Sequence, residues 1–174
     1  MTQQIVDTDG TVIALHQGNE IHMFARKFLN HLEAHADLLT EELLQKITRS
    51  GHCRELLRRV PIEEQRQSMH EIYRHMTEWL LNEQSSVDDE YYIGLGMRRA
   101  RQGVPFAELL FAVCAARQYF WEYIERETLL DQPADFWGGV RLLQSLDSCF
   151  DSALCLAAMG YQKNMGQTQT HAVA

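Results

Sequence analysis

The sequence predicts an all-α protein, a bundle of about six helices around one core, and three observations carry that expectation. From about Asn19 onward, apolar residues recur three and four positions apart, the spacing that collects them on one helix face. All three prolines, Pro61, Pro105 and Pro133, stand between these periodic stretches and none lies inside one, where a residue lacking an N–H would break the ladder. Gly51 and Gly103 close two of the stretches, as residues that can turn the chain out of a helix. At 174 residues the chain fits one domain.

Ahead of the helices, "IVDTDGTVIAL" sets β-branched residues around Asp9-Gly10, a pair suited to a tight turn. Residues 1–18 are therefore expected to form a short N-terminal hairpin or arm. The "DTDG" resembles the start of a calcium loop, but Val12 and Gly18 occupy the positions that need Gly and Glu. "EIHMFARKFLNHLEAH" puts Ile21, Phe24, Phe28 and Leu32 on one face, and "ADLLTEELLQKIT" continues to Gly51. The next helix opens at Pro61 with acidic residues in its first turn, both favoured at helix starts. Its apolar stripe is Ile62, Met69, Ile72, Tyr73, Met76, Trp79 and Leu80.

Ser86, three residues before Asp89, is a capping signal for a fourth helix, in which Gly94 and Gly96 predict weakness or close packing. A fifth runs from Pro105 to about Glu127, with Phe106, Leu109, Leu110, Val113, Phe120, Trp121 and Ile124 in a wide apolar face. A sixth follows Pro133 and repeats Phe136, Val140, Leu143, Leu146, Phe150, Ala153, Leu154, Ala157 and Tyr161 at helical spacing. The polar stretch 166–174 reads as a disordered tail, leaving 19–165 as the folded domain.

A net charge of −8 repels phosphate, which counts against a nucleic-acid partner. Lys27, Lys46 and Lys163 are the only lysines; the other basic residues are Arg, suited to hydrogen-bonded pairs with carboxylates across an acidic surface. No apolar run approaches the length of a membrane span, and the first 25 residues lack the basic start of a secretory signal. A cytoplasmic protein is expected. Cys53, Cys114, Cys149 and Cys155 follow no paired spacing and are expected as free thiols, with Cys114 in "LLFAVCAA" a small core residue.

Two motifs invite sharper readings and fail them. "RRARQGVPFAELLFAVCAA" has the shape of a helix-turn-helix, yet Phe106, Leu110 and Phe111 stand where a recognition helix shows polar residues to bases. "HEIYRH" spaces His70 and His75 five apart, about 140° around a helix, so the pair cannot grip one ion. His31 and His35 have the right spacing but no third ligand. Asp147 and Asp151 read as a solvated face. No catalytic residue and no metal site stands out, and an enzyme is not expected.

"RARQGVPFAELLFAVCAARQYFWEYI", "SLDSCFDSALCLAAMGYQ" and "EEQRQSMHEIYRHMTEWLLNEQSSVDDEYY" together resemble the RsbT co-antagonist (RsbRD-type) N-terminal sensor domain. These are the non-haem globins of stressosome proteins and some histidine kinases. The resemblance covers roughly residues 20–163 and implies a globin-like fold in a regulatory, stress-response sensor. It extends more distantly to bacterial globin-coupled sensors. Those carry their proximal haem-ligating His roughly twelve residues before the equivalent of Pro105, and here that position is Ile93, with no histidine between His75 and His171. No cofactor is therefore expected; a haem-based gas or redox sensor would need an atypical axial ligand such as Tyr91 or Tyr92.

On the side where the haem of a globin lies, the resemblance implies a site for a small apolar or amphipathic ligand. It would be formed by Met69, Tyr73 and Met76 facing Tyr92 and Gly96, with Arg99 a candidate anchor for a ligand carboxylate or else a surface ion-pair partner. It also implies a homodimer through the last two helices, with Trp121, Phe150 and Leu154 at the seam, and a regulatory protein as partner.

Overall fold

The computed structural model describes residues 14–82, 88–126 and 136–171, and among them the chain forms six helices and no strand. They are α1 (Ala14–Ser50), α2 (Arg54–Arg59), α3 (Ile62–Asn82), α4 (Asp88–Arg101), α5 (Phe106–Arg126) and α6 (Phe136–His171). No helix of the described residues is long and apolar enough to cross a membrane. The all-α bundle is as the sequence predicts, but the six helices are divided differently.

The two stretches before Gly51 are one element, α1, with a kink at His35, whose φ of −125° and ψ of 15° leave the helical region. Beside the kink, His35 Nδ1 donates to the carbonyl of His31 at 3.0 Å. α1 includes residues 14–18 and α6 includes 166–171, so both helices extend into segments that the sequence suggested as arm and tail. The Asp9-Gly10 turn, the Ser86 cap and Pro133 lie outside the described residues.

α2 has no counterpart in the sequence reading. Its N-cap, Cys53, supplies no side-chain capping hydrogen bond. Instead Glu108, in the first turn of α5, accepts from the Leu56 amide at 2.8 Å. A free N–H of this short helix is thus met by a carboxylate from 52 positions away. Cys53 lies fully buried beneath it, and that burial, aided by the Glu108 charge, pushes its thiol up to about 11.

α4 ends in a Schellman turn. Gly103 takes a φ of +70°, its amide bonds to Ala100 O at 2.9 Å, and the Val104 amide bonds to Arg99 O at 3.0 Å. Tyr161 of α6 donates to the Val104 carbonyl at 2.7 Å and ties this turn to the last helix.

Phe120 of α5 is the hub of the core. Its ring meets Phe28 from α1 at 6.3 Å, Tyr73 from α3 at 5.6 Å and Phe150 from α6 at 5.8 Å. Cys114 is not in that core. Ala112, Ala115 and Ala116 turn inward and leave it exposed on the far side of α5, while Cys149 is buried and all four cysteines are free thiols. Ile62, read as part of a buried stripe, is likewise exposed at the start of α3.

Arginine–carboxylate pairs stitch the surface as the composition suggests: Arg66–Glu41 at 2.6 Å joins α3 to α1, Arg126–Glu42 at 3.1 Å joins α5 to α1, and Arg117–Asp151 at 3.2 Å joins α5 to α6. Lys46–Glu122 at 2.6 Å adds a second α1–α5 tie.

The Tyr119 hydroxyl, followed by Arg126, holds Glu42 below the ordinary carboxylate range. Arg74 does the same for Glu71 and Lys46 for Glu122. Each carboxylate binds its proton less readily folded than unfolded. Its stabilisation is therefore complete above about 4.5, the ordinary Glu value, and is lost as pH falls through the lowered folded values. The melting temperature should drop progressively below that pH, and Glu42→Gln should make the drop shallower; an acid profile identical to wild type would refute the role of Glu42.

Candidate ligand cavity

The site begins with two glycines. A methyl group on Gly96 of α4 would collide with the Ala157 carbonyl of α6, and one on Gly160 of α6 would collide with the Ile93 carbonyl of α4. The two backbones therefore touch, which side chains on either helix would prevent. With α6 this close, the part of α4 carrying Tyr92, Leu95 and Arg99 faces the interior opposite α3.

Between the helices lies a partly open apolar cavity of about 70 Å³. All six helices contribute to its wall: Leu44 and Ile47 from α1, Leu56 from α2, Met69, Ile72 and Met76 from α3, Tyr92 and Leu95 from α4. α5 adds Leu109, Ala112, Val113 and Ala116; α6 adds Cys149, Phe150, Ala153 and Ala157. The void exists because alanines occupy successive turns of α5 and α6, at 112 and 116 and at 153 and 157, where larger side chains would fill it.

One corner is polar. Gln65, Ser68 and Arg99 line it and are 5%, 7% and 3% exposed. The Arg99 guanidinium donates to Glu64, to Gln102 Oε1 at 2.9 Å and to Ser68 Oγ at 2.9 Å. Gln102 Nε2 closes the network on Glu64 Oε2 at 2.8 Å. The Gln65 amide donates to the Val60 carbonyl at 2.8 Å, meeting the C-cap of α2. Outside this corner runs an open polar groove of about 380 Å³, lined by Glu64, Gln67, Ser68, Glu71, Tyr91 and Arg98. Ser68 and the Arg99–Glu64 pair form the wall between groove and cavity. Burial pushes Tyr91 at the groove up to about 12, so it is a neutral hydroxyl at physiological pH; it donates to the Ser68 carbonyl at 3.3 Å.

Residues 22–171 match the model of the family described as the RsbT co-antagonist protein rsbRD N-terminal domain. The chain belongs to that family. Membership makes this RsbRD-type domain a regulatory domain of stress signalling. No curated protein and no solved structure matches it significantly.

Of the residues the sequence nominated for ligand contact, Met69, Met76, Tyr92 and Arg99 come together on the cavity wall. Tyr73 does not. It is buried one layer deeper against Phe120, with Thr40 donating to its hydroxyl at 3.4 Å, and burial raises it to about 12. Gly96 faces α6 rather than the void. Arg99 is not a surface ion-pair residue but the centre of a buried network.

Of the three seam residues, Phe150 is 6% exposed and turns inward to the cavity, because it shares a helix face with Ala153 and Ala157. Trp121 and Leu154 are half-buried, and the Trp121 indole donates to Asp147 at 3.1 Å. Among the described residues no group of three metal-ligating side chains forms; His70 pairs with Asp37 at 3.3 Å and His75 stacks beside Tyr91.

Sequence reasoning missed Gln65 and Ser68, which sit among exposed charges in the string "EEQRQS", and the alanines at four-residue spacing, which were the available signal for a void. It also missed Gly160. Replacing Gly96 or Gly160 by Ala should cost about 1–3 kcal/mol or more, since backbone must move. Gly94→Ala, whose methyl meets only the end of Arg98, should be neutral or stabilising by up to about 1 kcal/mol. Denaturant unfolding measures all three, and equal effects would refute the backbone contact.

Proposed function

We propose that this chain is a non-enzymatic sensor domain that takes a small apolar or amphipathic ligand, or a partner protein, and passes that state through a homodimeric helix interface. The supporting observation is the apolar cavity to which every helix contributes a wall, so that its contents touch the whole bundle. α4 and α6 share that wall and are locked together at Gly96 and Gly160, so a displacement of one is carried to the other. The globin-like path of the chain belongs to this proposal and rests on the resemblance. So does a regulatory protein target of the kind named in the family description. We assign the chain to the cytoplasm on its four free thiols, which suit a reducing compartment.

The dimer surface is proposed on the outward sides of α5 and α6. Leu110, Cys114, Arg117 and Trp121 follow one another there at four- and three-residue spacing, the period of a helix seam. Leu154 continues it on α6. Trp121–Asp147 and Arg117–Asp151 hold the two helices in register beneath.

Haem does not fit this site. The cavity lining contains no imidazole, its volume is far below the ~300–1,000 Å³ of ordinary small-molecule pockets, and Ile93 has its backbone against Gly160. A porphyrin held by Tyr92 would need α4 prised from α6. We propose that the domain works without haem.

Dissolved xenon, a probe with no polar groups, should bind saturably and shift the methyl resonances of Met69 and Met76; Ala153→Leu should abolish the shift by filling the void. Methyl resonances unmoved by xenon in the wild-type chain would overturn the ligand reading. Trp121→Glu should reduce the light-scattering mass from that of two 20.2-kDa chains to that of one, and a wild-type mass of one chain would overturn the dimer.

A further inference from the structure

The geometry points to an uncharged, hydroxyl-bearing ligand for this cavity, in chemical class a short aliphatic alcohol, held between the side chains of Gln65 and Ser68. This inference rests on the cavity reading above and narrows it.

Gln65 and Ser68 lie three residues apart on α3, so both face the same corner. Each is more than nine-tenths buried, and each side chain makes one hydrogen bond among the described residues. Gln65 Nε2 donates to Val60 O, but among the described residues nothing donates to its Oε1. Ser68 Oγ accepts from Arg99, but among the described residues nothing accepts its hydroxyl proton. One buried acceptor and one buried donor thus border the same void. Groups left so are costly, and native proteins answer them with water or a ligand. A hydroxyl group does both jobs at once: it donates to Gln65 Oε1 and accepts from Ser68.

Charge decides against the obvious alternatives. Arg99 looks like an anchor for a carboxylate, but Glu64 already neutralises it. A ligand carboxylate would add an unbalanced buried negative charge and set its lone pairs against Gln65 Oε1, which is unfavourable on both counts. A ligand ammonium would meet Gln65 but lie beside the Arg99 guanidinium. A pure hydrocarbon would leave both polar groups unmet. Size completes the description. About 70 Å³ is near half of the ~150 Å³ void that admits benzene, so the ligand has roughly three to five heavy atoms. Its carbon body lies against Met69, Met76 and Ala153, and the two thioether chains can adjust to it.

The test uses the full chain with methyl-labelled methionine and three probes at neutral pH: xenon, 2-propanol and propionate. We expect 2-propanol to shift the Met69 and Met76 methyls saturably, at concentrations where propionate shifts neither. Gln65→Leu and Ser68→Ala should each weaken the alcohol roughly three- to tenfold relative to xenon measured on the same variant, the worth of one hydrogen bond. Should one variant fail to fold, the other carries the comparison. Xenon binding with no alcohol binding, propionate binding as tight as the alcohol, or alcohol binding unaltered in every folded variant overturns the inference and leaves the cavity standing. A wild-type chain in which xenon does not move the methyls overturns the cavity reading beneath it.

Discussion

The contact on which the rest of this molecule depends is the meeting of two backbones, α4 and α6, at Gly96 and Gly160. Helices that pack through side chains keep their axes about 8–10 Å apart. Two glycines, each set against a carbonyl of the opposite helix, remove that spacing. The consequence reaches beyond the contact, because the far side of α4 then stands where Arg99 can reach Glu64 and Ser68 on α3. The Schellman turn at Gly103 and the Tyr161 bond to Val104 fix the end of α4 from the same direction. A wider α4–α6 spacing would dissolve both the cavity wall and the polar corner.

The Arg99 network shows how a charge can be buried in a site without making the site charged. Its guanidinium bonds the Glu64 carboxylate, the Gln102 amide oxygen and the Ser68 hydroxyl oxygen, and the Gln102 amide nitrogen returns to Glu64. A pair of this kind adds little net stability, because desolvation offsets attraction, but removing one partner leaves the other stranded. Its value here is positional: it holds α3 and α4 at a set distance and seals the cavity from the outer groove. The same pairing changes what the site can recognise, since a neutralised arginine no longer attracts an anion.

Much of the candidate site was legible in the residues, though unevenly. Met69, Met76 and Tyr92 were readable because the period of α3 and α4 puts them on inward faces. Tyr73 shares that period yet misses the cavity, because a helix face is wide enough to serve two layers and periodicity does not say which. Phe150 misled for a related reason: an apolar residue on a terminal helix suits a partner or a core equally, and the alanines around it decided for the core. Gln65 and Ser68 were hidden by their neighbours. Polar residues next to an acidic first turn look solvated until a second helix covers them.

By itself the sequence determined the all-α class, the breaks at Gly51, Pro61, Gly103 and Pro105, the free thiols and the family, because each rests on local chemistry or on a pattern carried by the string. Tertiary structure alone decided the rest. α2 forms because Glu108, 52 positions downstream of Leu56, answers its amide. The kink at His35 sits inside one continuous helix, where the sequence suggested two. The cavity is the space left where alanines from two helices meet a glycine-tightened third, a quantity that no single segment contains.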